Sequence, residues 1–241
     1  MSRPVERLAD LAELNGMAEY AVDLREAARK NRERGGLEEF PQEPQTVQPA
    51  PKIEVVRAPL SPEIQKLVEH MERDGFAVYE TSGKTPASLR GEGMKYWDLH
   101  PALEDLTAEP ALLAFKRDPA EFYLSGSQKI PFEDQLGLAE EEKLKVERNY
   151  AGAGLVTRVG HFSEWLELAL KHFKQTGVRI HGRDYGYGYT WTDTYESDQP
   201  GAYRAVAGNW GEASGFYGNF WSPDLVDPRL GLALLVEIPR K

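Results

Sequence analysis

The chain has 241 residues, 41% hydrophobic and 28% charged, which is enough apolar material for a packed core and unlike a disordered polymer. It has no cysteine, which excludes disulfides, thiolate metal sites, a thiol nucleophile and a lipidated cysteine anchor. A formal charge of -10 repels phosphate backbones, and no run approaches the roughly 20 apolar residues of a membrane span, so neither nucleic acid nor membrane insertion is expected.

In chain order, residues 1–40 read as helix. Leu8, Leu11, Leu14, Ala18, Ala21, Leu24 and Ala28 recur at three and four, a narrow apolar face interrupted by Asn15-Gly16. Such a face suits docking, either on the rest of the chain or in self-association. Charges within 1–11 occupy the place of a signal peptide's apolar stretch, so the expected location is the cytoplasm, with virion or cell-surface association left open. Residues 41–52 form a Pro/Gln-rich linker, with four prolines in the eleven residues from Pro41 to Pro51.

A main domain is expected over 53–241. Ile53 to Val56 is a short strand candidate. Ser61-Pro62-Glu63 opens a helix that runs to about Arg73, and Phe76 to Tyr79 reads as a strand. Four prolines (86, 101, 110 and 119) cut residues 82–120 into short helices and loops. Glu140 to Arg148 is a charged helical stretch. Ser163 to Gln175 is an amphipathic helix with Trp165, Leu166, Ala169, Leu170 and Phe173 inward and Gly177 as its stop. Leu230 to Ile238 reads as one buried strand.

The familiar catalytic patterns are missing. His70, His100, His161, His172 and His181 include no i, i+4 pair and no H-E-x-x-H, so they read as solvated or hydrogen-bonded surface residues and no metal is expected. Gly152-Ala-Gly154 with Gly160 fails the dinucleotide-loop spacing. Ser125 sits in a turn rather than in a G-x-S-x-G elbow. Asp193, Glu196 and Asp198 leave a carboxylate hydrolase open, because spacing cannot show whether two acids face each other across a cleft.

The informative feature is aromatic. From His181 to Trp221 there are three Trp, six Tyr and two Phe among eight Gly. Tyr185-Gly-Tyr187-Gly-Tyr189-Thr-Trp191 alternates like a strand with one aromatic face. The stretch from Gly208 to Asp224 shows neither helical nor strand periodicity. It mixes rings with Asn, Ser, Asp and Gly, the inventory of recognition loops: rigid rings give contact area and small polar residues adapt their hydrogen bonds.

These residues carry a resemblance. Gly208-Asn-Trp210, the Gly- and Asn/Ser-rich loop, and Asp227-Pro-Arg229-Leu-Gly231-Leu232 before a last apolar strand resemble the end of a C-type-lectin fold of the formylglycine-generating type. Within that group the chain is most similar to the variable proteins of diversity-generating retroelements. Supporting phrases are Phe122-Tyr-Leu-Ser-Gly-Ser127, the helix from Ser163 to Gln175, and the segment from Asp184 to Thr192; the match spans roughly 120–241.

The resemblance implies an α+β, C-type-lectin-like domain behind a helical N-terminal segment, with a variable region at about 205–232. It implies non-enzymatic binding of a protein or cell-surface ligand, with no cofactor and no catalytic residue. Adenine-directed copying errors would diversify Asn209, Gly211, Glu212, Ser214, Phe216, Tyr217, Asn219, Phe220, Ser222, Asp224, Leu225, Asp227 and Arg229. Trp191, Trp210 and Trp221 would be scaffold aromatics beside them, with Gly231 and the 232–236 strand as framework.

Several departures narrow the reading. The cysteines of the formylglycine-generating enzymes and the clustered histidines of the sulfoxide synthases are absent. Gln199-Pro200-Gly201 lacks the acid or amide that calcium-dependent lectins place there, and Leu232-Ala233 replaces the usual Phe-Arg. A hydrolase, or an assembly module without diversification, remains the alternative.

Overall fold

A computed structural model describes residues 60–182, 188–197, 202–211 and 215–240. The expected N-terminal helix, the linker, the Ile53–Val56 strand, Tyr185, Tyr187, Asp198, Glu212 and Ser214 lie outside the described residues.

Ser61 accepts a hydrogen bond from the Ile64 amide and starts helix α1 (Pro62–Arg73), with proline at its first position. The chain turns at Gly75 into β1 (Phe76–Glu80). Residues 82–120 hold two short helices, α2 (Pro86–Gly91) and α3 (Pro119–Phe122), and a 3-10 turn at Pro101–Leu103, as their prolines suggest. They also hold two strands that the proline spacing hides, β2 (Tyr96–Leu99) and β3 (Leu112–Lys116). Helix α4 (Phe132–Asn149) begins eight residues before the expected Glu140. Strand β4 (Val156–Val159) leads to α5 (Phe162–Thr176), which ends at Gly177 in the left-handed conformation, φ 74°.

The last third is sheet. Strands β5 (Tyr189–Tyr195), β6 (Arg204–Gly211) and β7 (Gly215–Trp221) pair antiparallel in sequence. The segment read above as lacking periodicity is therefore a pair of strands. The expected strand from Leu230 to Ile238 is also corrected: β8 (Leu230–Gly231) joins one sheet and β9 (Leu234–Ile238) joins the other. The chain crosses between them at Leu232 and Ala233, whose amides donate to the Ser127 and Thr190 hydroxyls at 3.0 and 2.9 Å. Those two hydroxyls supply the hydrogen bonds that a continuous ladder would have given.

The result is α+β. One sheet has the order β1-β3-β9-β4 and the other β2-β7-β6-β5-β8. Helix α5 lies between them, with Trp165, Leu166 and Ala169 in one cluster with Leu113, Phe115 and Leu235 of the first sheet and Ala205, Ala207 and Phe216 of the second. Its burial extends beyond the expected stripe, to Glu164, Glu167 and His172. The outer face of the first sheet packs on α1 and on Val146 and Tyr150. The outer face of the second gathers Phe132, Tyr189, Trp191, Val206 and Tyr217.

Candidate functional site: an aromatic strip on the outer face of the five-stranded sheet

Strand β7 has two faces, as its period of two requires. Phe216 is fully buried and Phe220 packs inward against the same central cluster, its ring 5.1 Å from that of His100. Both were expected on a ligand surface. Phe216 belongs to the core and half-buried Phe220 packs against it, because Tyr217 and Asn219 between them, and Trp221 beyond, take the other, outer side; Tyr217, also expected on a ligand surface, is itself only 8% exposed and forms part of the outer apolar cluster.

Those outward positions meet strand β2. Trp97, 49% exposed, leans on Tyr217 with ring centroids 5.0 Å apart. The Trp221 indole Nε1 donates to Tyr217 Oη at 3.1 Å, and its ring lies 4.9 Å from that of Tyr189. The Asn219 amide donates to Asp98 Oδ2 at 3.3 Å. The rings form a continuous strip with one open end at Trp97.

A polar margin borders the strip. Arg229 lies over the Tyr189 ring at 5.4 Å and pairs with Asp227 at 2.8 Å. Burial pushes the Asp227 carboxyl up, but the hydrogen bonds and charge of Arg229 outweigh it and hold the group below the usual carboxylate range. Asn209 has φ 47°, a left-handed conformation that asparagine tolerates, where the β6–β7 register shifts, and its side chain hydrogen-bonds Tyr189. Burial raises the Tyr189 phenol, which keeps it neutral.

The structure thus brings Asn209, Tyr217, Asn219, Asp227 and Arg229 to one region. Gly211 and Ser222 are half-buried, while Asp224 and Leu225 are exposed in the segment after β7. Of the expected scaffold aromatics, Trp191 is fully buried in the outer cluster, and Trp210 is buried against Phe173 and Phe216. Trp221 is half-buried and part of the strip itself. Trp97 and Asp98 escaped the sequence reading because they lie about 120 residues from Tyr217 and Asn219. The available signal was a tryptophan in a short polar segment that needs no core ring.

The acidic cluster near Asp193 has a different character. The Asp193 carboxyl is pushed up chiefly by desolvation, with His161 opposing and Glu164 adding to the rise. Glu164 is committed elsewhere: Arg158 holds both its oxygens at 2.6 and 2.8 Å, and the His161 amide donates to it at 2.8 Å. This is the cap of α5, in which the His161 side chain accepts from the Ser163 amide.

The histidines also need correction, since two are interior. His172 contacts Tyr79 Oη at 2.8 Å, and burial, helped by Arg117, lowers its pKa to about 4. His181 contacts Tyr123 Oη at 2.8 Å, and burial lowers its pKa to about 3. Among the described residues no group of three His, Asp or Glu is placed to hold a metal, and no helix is long and apolar enough to cross a membrane.

Comparison of the chain with protein-family models, with curated proteins and with solved structures yields no match.

Proposed function

We propose that the chain is a non-enzymatic binding protein of C-type-lectin-like architecture that holds a protein or other cell-surface ligand on the aromatic strip. We further propose that a retroelement diversifies this surface. The observation that carries the reading is the division of β7. Half-buried Asn219 and Trp221 stand beside exposed Trp97 on a base of buried Tyr217, while Phe216 is sealed in the core. A strand built this way can change its outward side chains while the inward ones keep the fold.

The strip has the makings of a binding hot spot. It joins large rings that lose little entropy on contact to a rim of amide, carboxylate and guanidinium groups. Trp97 and Trp221 would supply the central contacts, and Asn219, Asp227 and Arg229 the adaptable polar ones.

Deep sequencing of the codons for 205–232 across a natural population tests the proposal. The expected result is substitution at Asn209, Asn219, Ser222, Asp224, Leu225, Asp227 and Arg229, explicable as adenine changes in a nearby template repeat, with Tyr217 confined to large rings by its burial. Phe216 and Phe220 should keep apolar residues. An invariant 3′ end would overturn diversification.

A further inference from the structure

Strand β2 pairs with β7 through a bulge. Tyr96 stands opposite Phe216 and Asp98 opposite Tyr217, so Trp97 is an extra residue in the ladder. Successive side chains of a regular strand point to opposite faces. Here the bulge brings two neighbours to one face: the Trp97 ring leans on Tyr217, and Asp98 Oδ2 accepts from the Asn219 amide, both on the outer side of the sheet. An exposed indole therefore stands beside a carboxylate that no cation among the described residues pairs with.

The other end of the strip shows what such a pair can hold. There the Arg229 guanidinium lies over the Tyr189 ring and pairs with Asp227. A guanidinium suits both partners at once, because its flat face stacks on a ring and its N–H fork matches a carboxylate. Trp97 and Asp98 offer the same two partners. Arg90, the nearest arginine in sequence, is committed to the Tyr96 ring and to Glu104. The charge is complementary as well: Asp227 and Arg229 cancel within the strip, which leaves the Asp98 carboxylate over.

We propose that Trp97 and Asp98 form an anchor for an arginine side chain of a protein ligand. The proposal rests on the reading of the aromatic strip as a ligand surface and narrows it to a partner chemistry. Both residues lie outside 205–232, so the anchor stays constant while the residues beside it vary. It reads a feature that ligands share, and discrimination falls to Asn219 and the segment after β7.

The test is titration of the full chain with N-acetyl-arginine amide, followed by NMR of the Trp97 indole N–H and the Asn219 side-chain amide. The citrulline analogue is flat but uncharged, and the lysine analogue is charged but has no fork. Arginine amide should bind with a dissociation constant of about 1–10 mM, the scale of one stacked and paired side chain. Both analogues should bind about fivefold more weakly or worse. Asp98→Asn should erase the preference for arginine over citrulline, and Trp97→Ala should weaken both. Should Trp97→Ala disturb the fold, Trp97→Leu keeps an apolar cover over Tyr217 and removes the ring.

No shift at about 100 mM arginine amide, tenfold above the weaker end of that range, would overturn the anchor. Arginine binding that survives both substitutions would place the contact elsewhere and overturn it too. Lysine binding as tight as arginine's would reject the guanidinium, and citrulline binding as tight would reject the role of Asp98. Methyl glucoside shifting the same resonances at lower concentration would replace arginine with a sugar. Deep sequencing reports on diversification separately: a variable 3′ end without arginine binding sinks the anchor alone, and arginine binding beside an invariant 3′ end sinks diversification alone.

Discussion

The rings of Tyr189 and Tyr217 meet edge to face, 5.4 Å apart, across Gly208, which pairs with both residues in neighbouring ladders. The missing side chain is what lets two strands that are not hydrogen-bonded to each other share an aromatic contact. A Cβ at Gly208 would come within 2.7 Å of the Tyr189 Cα. Gly208→Ala should therefore destabilise the protein by about 2 kcal/mol through overpacking of backbone against backbone. Urea unfolding checks this, and an unchanged midpoint would contradict the close approach.

Phe216 and Trp97 lie on opposite sides of the same sheet. Phe216→Ala should cost about 3–5 kcal/mol, the range for emptying a buried ring site. Trp97→Ala should cost under about 1 kcal/mol, because the ring is half in solvent already. Paired denaturation curves decide the matter. Equal losses would mean that the strip is core rather than surface.

Acid should weaken the fold through His172 and His181. Their folded pKa values, about 4 and about 3, lie below the ordinary 6.5, so the unfolded chain takes up protons first as pH falls. The stability they contribute is complete above pH 6.5 and declines below it. Between pH 7 and pH 5 the loss should be about 2 kcal/mol per histidine. Unfolding free energies at the two pH values measure it, and His172→Gln should remove about half of the dependence. A flat wild-type profile would rule out neutral burial of both rings.

Arg158 holds nearly buried Glu164 with two hydrogen bonds and reaches Glu237 at 3.1 Å, whereas the Arg90–Glu104 pair is largely exposed. Arg158→Met leaves a buried carboxylate without its cation and should cost about 2–3 kcal/mol. Arg90→Met should cost under about 1 kcal/mol. Thermal melts of the two variants, compared with wild type, test the difference.

Helix α1 and helix α5 were legible because their signals are local: Ser61-Pro62 at one start, Gly177 at one stop, and apolar residues at helical spacing. The start of α4 was hidden because Pro131 and Gly137 speak against helix, and Phe132 is drawn in by a ring on another element, Trp191. Strands β6 and β7 were missed for a subtler reason. Their period of two is present, but both faces of β7 carry aromatics, so alternation of hydrophobicity gives no contrast. The crossing at Leu232 and Ala233 was invisible because both sheets want the same apolar residues there. Only the Ser127 and Thr190 hydroxyls, far away in sequence, mark the break. The candidate-site residues legible from composition were those of β7, while Trp97 and Asp98 required the parallel β2–β7 pairing to be seen.

The two-sided build of β7 sets a rule for how this surface can be altered without losing the fold. Exchange of one side chain for another at Asn219 or Trp221, both half-buried, leaves the inward Phe216 and Phe220 where they are. Adding or removing a single residue between 216 and 221 would instead invert the alternation beyond that point. A change just after Phe216 would turn the half-buried Phe220 ring to solvent and the polar amide of Asn219 toward the apolar interior. The hairpin is thus permissive in spelling and strict in length.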